Sequence, residues 1–192
     1  MEYANGYLEV IIGPMFSGKT SKLLEIYKQY TFCNIPFLVV NHSDDVRYKE
    51  ANQMVTHDQQ SIPCTNCVNL HDLWEKQPSL QDSSQLQAIL INEGQFFDDL
   101  YDFVCTLLVH KKHVYVCGLD GDFQRKKFGS ILDLIPLCDN VYKLHSLCVQ
   151  CKNGTKAIFS HRISHQNTTQ KEVGASESYV PLCRKCYVDA TQ

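Results

Sequence analysis

The sequence has no excess of basic charge. Its 192 residues hold 18 Lys and Arg against 21 Asp and Glu, for a formal net charge of −3 and a pI near 6.2. A chain whose main partner was nucleic acid would show a basic patch or stripe, so no nucleic-acid partner is expected. No apolar run exceeds strand length, whereas a membrane-spanning helix needs about 20 residues, so no membrane span is expected either. The N-terminus has no basic segment leading into an apolar core and a small-residue cleavage site. No secretory signal is therefore expected, and a reducing, cytoplasmic setting follows. There is no internal repeat and no low-complexity tail. With 44% hydrophobic residues, the chain can bury one full core, or a core and a small appended module.

Cysteine, in contrast, is plentiful, with ten residues. In a reducing compartment metal ligation is favoured over disulfides. Cys148-x-x-Cys151 and Cys183-x-x-Cys186 form two pairs suited to tetrahedral sulfur ligation of a structural zinc, with no open position for catalysis. The 31 residues between them, Lys152 to Leu182, exceed the spacing of an ordinary zinc ribbon. The zinc is expected to pin the base of a long functional loop. Cys64-x-x-Cys67 has no partner pair and reads as surface thiols. Cys33, Cys105, Cys117 and Cys138 read as small core residues.

The most informative stretch is Gly13-Pro14-Met15-Phe16-Ser17-Gly18-Lys19-Thr20, which fits G-x-x-x-x-G-K-[ST]. An apolar run at Tyr7–Ile12 leads in and a helical pattern at Ser21–Tyr30 leads out. That order is what a phosphate-binding loop requires. Backbone N–H groups wrap the polyphosphate, the helix N-terminus adds partial positive charge, Lys19 reaches the outer phosphates, and the Thr20 hydroxyl ligates magnesium. Leu8–Ile12, Phe37–Val40, Ala88–Ile91 and Val114–Cys117 read as buried parallel strands. The segment Phe97–His110 reads as a helix whose Phe97, Leu100, Tyr101, Val104, Leu107 and Leu108 pack the core. Glu75–Gln87 reads as a polar surface connection. The expected fold is an α/β P-loop parallel sheet with helices on both faces, residues 1–143, followed by a small zinc-binding lobe, residues 144–192.

Two further segments sit where strands end. Leu90-Ile91-Asn92-Glu93-Gly94-Gln95-Phe96-Phe97 delivers polar residues to the crevice edge, and Glu93 there suits a general base accepting a proton from an attacking hydroxyl. A helix-start acid is the other reading of Glu93. Gly118-Leu119-Asp120-Gly121-Asp122-Phe123-Gln124-Arg125-Lys126-Lys127-Phe128-Gly129 follows the next strand. Its glycines permit tight turns, and Phe123 and Phe128 can wall a flat apolar base. Arg125-Lys126-Lys127 reads as a solvated face.

Taken together, GPMFSGKT, Asp45-Val-Arg47-Tyr48, NEGQFF, GLDGDFQRKKFG and the two cysteine pairs resemble the type II, or cellular-type, thymidine kinases of cells and large DNA viruses. The resemblance runs from about Leu8 to Tyr187. It implies transfer of the γ-phosphate of ATP to the 5′-hydroxyl of thymidine, with catalytic magnesium and structural zinc. It places Gly13 to Thr20, Asp45 and Arg47 at the donor phosphates, with Asn92 and Gln95 in the metal and phosphate region. Glu93 becomes the proton acceptor. Met15, Phe96, Leu119, Phe123 and Phe128 line the thymine pocket. Gln170, Lys171, Glu172, Val173 and Gly174, with Tyr179, form a lasso loop that reads the base through backbone groups, and Arg162 helps hold the loop or the phosphates. The resemblance further implies a homotetramer and feedback inhibition by the thymidine triphosphate. Three positions depart from the usual pattern. Asn92 replaces an aspartate that would hold hydrated magnesium. Lys127 replaces a proline and is expected to loosen the turn before Phe128. Ala175 replaces a glycine.

Two readings from other classes use the same motifs. One is a P-loop ATPase or GTPase switch, with Glu93 activating water. The other is a zinc-ribbon nucleic-acid-binding module, which the net charge and the P-loop disfavour.

Overall fold

The structure, a computed structural model, describes residues 5–43, 53–55, 60–82, 84–163 and 178–192. Asp45, Arg47, Gln170 to Gly174 and Ala175 lie outside the described residues. In chain order the first half holds β1 (Tyr7–Ile12), α1 (Lys19–Phe32), β2 (Phe37–His42), β3 (Gln53–Val55), β4 (Ser61–Pro63), β5 (Thr65–Cys67), α2 (His71–Lys76) and β6 (Ala88–Ile91). Then come α3 (Leu100–Val109), β7 (His113–Gly118), β8 (Asn140–Lys143), β9 (Ser146–Leu147), β10 (Lys156–Ala157), β11 (Phe159–Arg162), β12 (Tyr179–Leu182) and α4 (Arg184–Ala190).

Six strands form one sheet in the order β5-β2-β6-β7-β1-β8, every pair parallel. Successive side chains of a strand point to opposite faces, and both faces here are covered, so the central strands are apolar throughout. Val10, Ile12, Val40, Ile89, Ile91, Val114 and Val116 pack on one face against Leu100, Phe103, Val104 and Leu107 of α3. Ile11, Val39, Ala88, Leu90 and Cys117 pack on the other against Leu23, Leu24, Ile26 and Tyr30 of α1. The α/β parallel sheet with helices on both faces is therefore as the sequence suggests. Among the described residues, no helix is long and apolar enough to cross a membrane.

Several local expectations change. The edge strands β5 and β8 carry no apolar run and pair only because β2 and β1 offer open edges. Tyr101 faces outward, while Phe103 is fully buried. The connection at 75–87 is not merely surface, because it sends Leu80 and Leu86 into the core. It also wraps Lys112, whose Nζ donates to the carbonyls of Asp82 at 2.9 Å and Leu86 at 2.5 Å, with a longer contact to Ser79 at 3.4 Å. Burial pushes this ammonium below its usual range, and Asp82 partly offsets that. We expect Lys112→Met to lower unfolding free energy by about 2–4 kcal/mol, because buried carbonyls lose a charged donor. Urea titration checks it.

The cysteines sort differently from expectation as well. Cys33 is exposed because it caps the end of α1, Cys105 and Cys138 are half-buried, and Cys117 is buried. Cys64 is no surface thiol, since it packs under α1 with Met54 and Ile62. Its neighbour Cys67 is half-buried, and burial drives that thiol up to about 12, so it stays protonated and unreactive at neutral pH.

Candidate active site and metal centre

In a parallel sheet all strands end at one edge, and that edge carries the ligand crevice. The P-loop leaves β1. Glu93 follows β6 and Leu119 follows β7, with β7 lying between β6 and β1. The loop runs directly into α1, whose N-cap is Gly18 at φ +83°. An L-residue with a side chain is strained in that left-handed conformation, so glycine is required. The first turn of α1 holds no acidic residue, and its N–H groups face whatever anion the loop grips without internal competition. Lys19 is buried and donates to the Pro14 carbonyl at 2.7 Å. The Ser17 hydroxyl is buried and has no hydrogen-bond partner among the described residues. A buried orphan of this kind beside a helix N-terminus is what a phosphate oxygen would satisfy.

Glu93 is buried and sits at φ 53°, ψ 42°, a left-handed conformation costly for a non-glycine residue. Its Oε2 accepts from Gln95 Nε2 at 2.6 Å, and Gln95 Oε1 accepts the Leu119 N–H at 2.9 Å. One amide thus ties the β6 carboxylate to the loop after β7. The tie needs Gly118, because a Cβ there would collide with Gln95 Oε1.

The aromatic segment assembles beside this pair. Phe96 and Phe128 meet edge to face at 5.5 Å. Phe123 lies under the Arg162 guanidinium at 3.8 Å, and Arg162 donates to the Tyr179 hydroxyl at 2.6 and 3.0 Å. Arg162 is buried between the Phe123 and Tyr179 rings. The turn before Phe128 is not loose despite Lys127. The Asp122 carboxylate accepts the N–H groups of Gln124 at 2.9 Å and Lys126 at 2.8 Å, and Lys127 pairs with Asp133 at 2.7 Å. Arg125, Lys126 and Lys127 are all exposed, as a solvated face requires, and the Arg125 guanidinium also lies over the Tyr187 ring at 4.7 Å.

The paired cysteines converge. The sulfurs of Cys148, Cys151, Cys183 and Cys186 lie within 4.8 Å of one another, with Cys151 at 3.7 Å from Cys183 and 3.5 Å from Cys186. Tetrahedral zinc with Zn–S near 2.3 Å needs sulfurs about 3.8 Å apart, so the donor set fits that ion. Burial opposes charge on Cys148, yet backbone N–H groups of Cys151, Cys183 and Gln150 outweigh it and bring the thiol down to about 6. Cys186 is held above the ordinary thiol range, chiefly by its bond with Cys151. Four thiols this close cannot all ionise without a cation among them. From the cluster, β11 and β12 run as an antiparallel pair, one on each side in sequence of residues 164–177, which lie outside the described residues. Tyr187 of α4 donates its hydroxyl to the Phe123 carbonyl.

A sequence model of the thymidine kinase family matches residues 6–187. The chain belongs to the thymidine kinase family. It is 37% identical over 187 residues to the thymidine kinase of Sheeppox virus (strain KS-1), covering 97% of this chain and 98% of that one. Against the thymidine kinase of Myxoma virus (strain Uriarra) the figures are 38% over 187 residues, 97% and 99%. Against thymidine kinase 1 of Dictyostelium discoideum they are 37% over 185 residues, 95% and 78%. Cellular and large-DNA-virus relatives are thus both represented, as expected of the type II group.

Within this thymidine kinase family member, Asn92 is buried just past the end of β6. Its amide donates to Asn41 Oδ1 at 2.8 Å and its Oδ1 accepts from Cys117 Sγ at 3.0 Å. Sequence reasoning took Cys117 only as a core residue and gave no site role to Asn41, Tyr187 or Ser160. Ser160 stands in an alternating strand, Phe159-Ser160-His161-Arg162, that gives no sign of which face is inward.

Proposed function

We propose that this enzyme transfers the γ-phosphate of ATP to the 5′-hydroxyl of thymidine. The observation that carries the reading is a buried, hydrogen-bonded Glu93 at the same sheet edge as the P-loop. In the proposed reaction the 5′-oxygen forms its bond to the γ-phosphorus while the bond to the β,γ-bridging oxygen breaks. The hydroxyl proton passes to Glu93, which Gln95 holds in place. Lys19 exchanges the Pro14 carbonyl for a phosphate oxygen. Phe96, Phe123, Phe128, Leu119, Met15 and Tyr179 bound the nucleoside, which Gln170 to Gly174 would cover. Asp45 and Arg47 would lie by the phosphates. Magnesium supplies charge neutralisation on those phosphates when bound, with Thr20 as its protein ligand. Zinc supplies a fixed base for the lasso, held by Cys148, Cys151, Cys183 and Cys186. We read the chain as two units, 1–143 and 144–192, a homotetramer in the cytoplasm, with the thymidine triphosphate as feedback inhibitor.

A panel of labelled nucleosides with ATP and magnesium tests this directly. Thymidine should become labelled monophosphate, and phosphate release without nucleoside should be near background. Rapid release with no acceptor would favour the ATPase reading instead. A second test concerns Asn92. In Asn92→Asp a carboxylate replaces the neutral amide next to Asn41, and the magnesium concentration for half-maximal turnover should fall. Superimposable magnesium titrations of wild type and variant would remove Asn92 from the metal region.

A further inference from the structure

Ser160 and Met15 lie 145 positions apart, yet the Ser160 hydroxyl oxygen accepts the Met15 backbone N–H at 2.9 Å. The first belongs to the hairpin that leaves the cysteine cluster, and the second belongs to the P-loop. Neither the base nor the zinc ligands nor the phosphate ring requires this bond. We propose that Ser160 is a positioning residue of the P-loop, carrying the state of the cysteine-held hairpin to the nucleotide site. The inference rests on the donor-nucleotide reading of that loop.

Three observations support it. Pro14 has no N–H, so Met15 offers the first backbone donor after Gly13, and Ser160 takes it. The next residue, Phe16, is held at φ 62°, a left-handed conformation that persists only where neighbours fix it. Anchoring Met15 is one way to fix it. Finally, Ser160 is 4% exposed, so water does not replace its hydroxyl if the bond is lost.

The link to the cysteine cluster is short. Ser160 pairs with Pro181 across the hairpin, and Cys183 lies two residues beyond Pro181. The same hairpin continues to Arg162, which grips Phe123 and Tyr179. One strand therefore touches the phosphate loop through Ser160 and the aromatic wall through Arg162. Displacing the cluster would move both contacts together, whereas removing the Ser160 hydroxyl would free the P-loop alone.

The test is MgATP affinity measured by calorimetry without thymidine, with zinc content determined on the same samples. Ser160→Thr keeps the hydroxyl and should bind as wild type does. Ser160→Ala should retain zinc and bind about three- to tenfold more weakly, the range of one hydrogen bond. Cys183→Ser should weaken binding in the wild-type background and add little in the Ser160→Ala background, because both act through one contact. Wild-type affinity in Ser160→Ala, or losses that multiply in the double variant, overturns the proposal and leaves the donor reading standing. No MgATP binding by the wild type overturns both. Exchange of the Met15 amide in wild-type protein gives an independent check should Ser160→Ala fold poorly. Stripping zinc should speed that exchange at least about tenfold as the hydrogen-bonded closed state is lost, and an unchanged rate overturns the link.

Discussion

Replacing Glu93 by glutamine is expected to lower kcat by about 10²- to 10⁴-fold, the usual contribution of a positioned general base. That is about 3–5 kcal/mol of barrier. The substitution is informative because it is nearly isosteric. The glutamine amide can turn its oxygen toward Gln95 Nε2, which now donates to the carboxylate at 2.6 Å, so the Gln95 bridge to Leu119 survives. The left-handed backbone at Glu93 is likewise retained. What disappears is the capacity to accept a proton. MgATP affinity and the melting midpoint should therefore stay near wild type while turnover falls. Near-normal turnover would exclude Glu93 as the base. A parallel loss of nucleotide binding would assign it to the phosphate site instead.

Removing the proposed zinc, by chelation or by Cys183→Ser, is expected to unfold the cysteine-rich part of the chain before the sheet. Zinc bound by four cysteines contributes on the order of 10 kcal/mol to folding in small modules. The apolar core around those cysteines is small, consisting of Ala157, Leu182, Tyr187 and a few partly buried neighbours. The sheet core is far larger and contains none of the ligands. Hydrogen exchange should therefore accelerate across β9 to β12 and α4, while β1, β6 and β7 keep their protection. Simultaneous loss in both regions would show that the two fold as one cooperative unit. Because Tyr187 bonds the Phe123 carbonyl and Arg162 covers the Phe123 ring, the aromatic segment should be the first part of the α/β unit to loosen.

What could be read early follows from how locally each feature is specified. The P-loop, the two cysteine pairs and the four central strands are written in adjacent residues, through glycine conformation, ligand spacing and continuous apolar runs. β5 and β8 were not legible, because Thr65-Asn-Cys67 and Asn140-Val-Tyr-Lys143 become strands only beside a neighbour's open edge. Lys112 was invisible as a core residue, since a lysine is buried only where carbonyls converge on it. Cys33 and Cys64 exchanged their expected places because a thiol has no pattern of its own and follows its surroundings. Lys127 suggested a loosened turn, and Asp122 holds that turn by two backbone donors instead.

The sequence by itself determined that this chain carries a phosphate-loop motif and four cysteines spaced to hold a metal, and that it belongs with the thymidine kinases. Those properties rest on dihedral freedom, donor chemistry and short spacings, which a linear string records. Only the tertiary structure decided that Gln95 clamps Glu93 to Leu119, that Asn92 is enclosed by Asn41 and Cys117, and that Ser160 reaches Met15. The last three of these contacts join residues 51, 25 and 145 positions apart. Such pairs meet because the parallel sheet brings its strand ends to one edge and the cysteine cluster folds the hairpin back onto it. No local rule in the string sets those distances, and packing does.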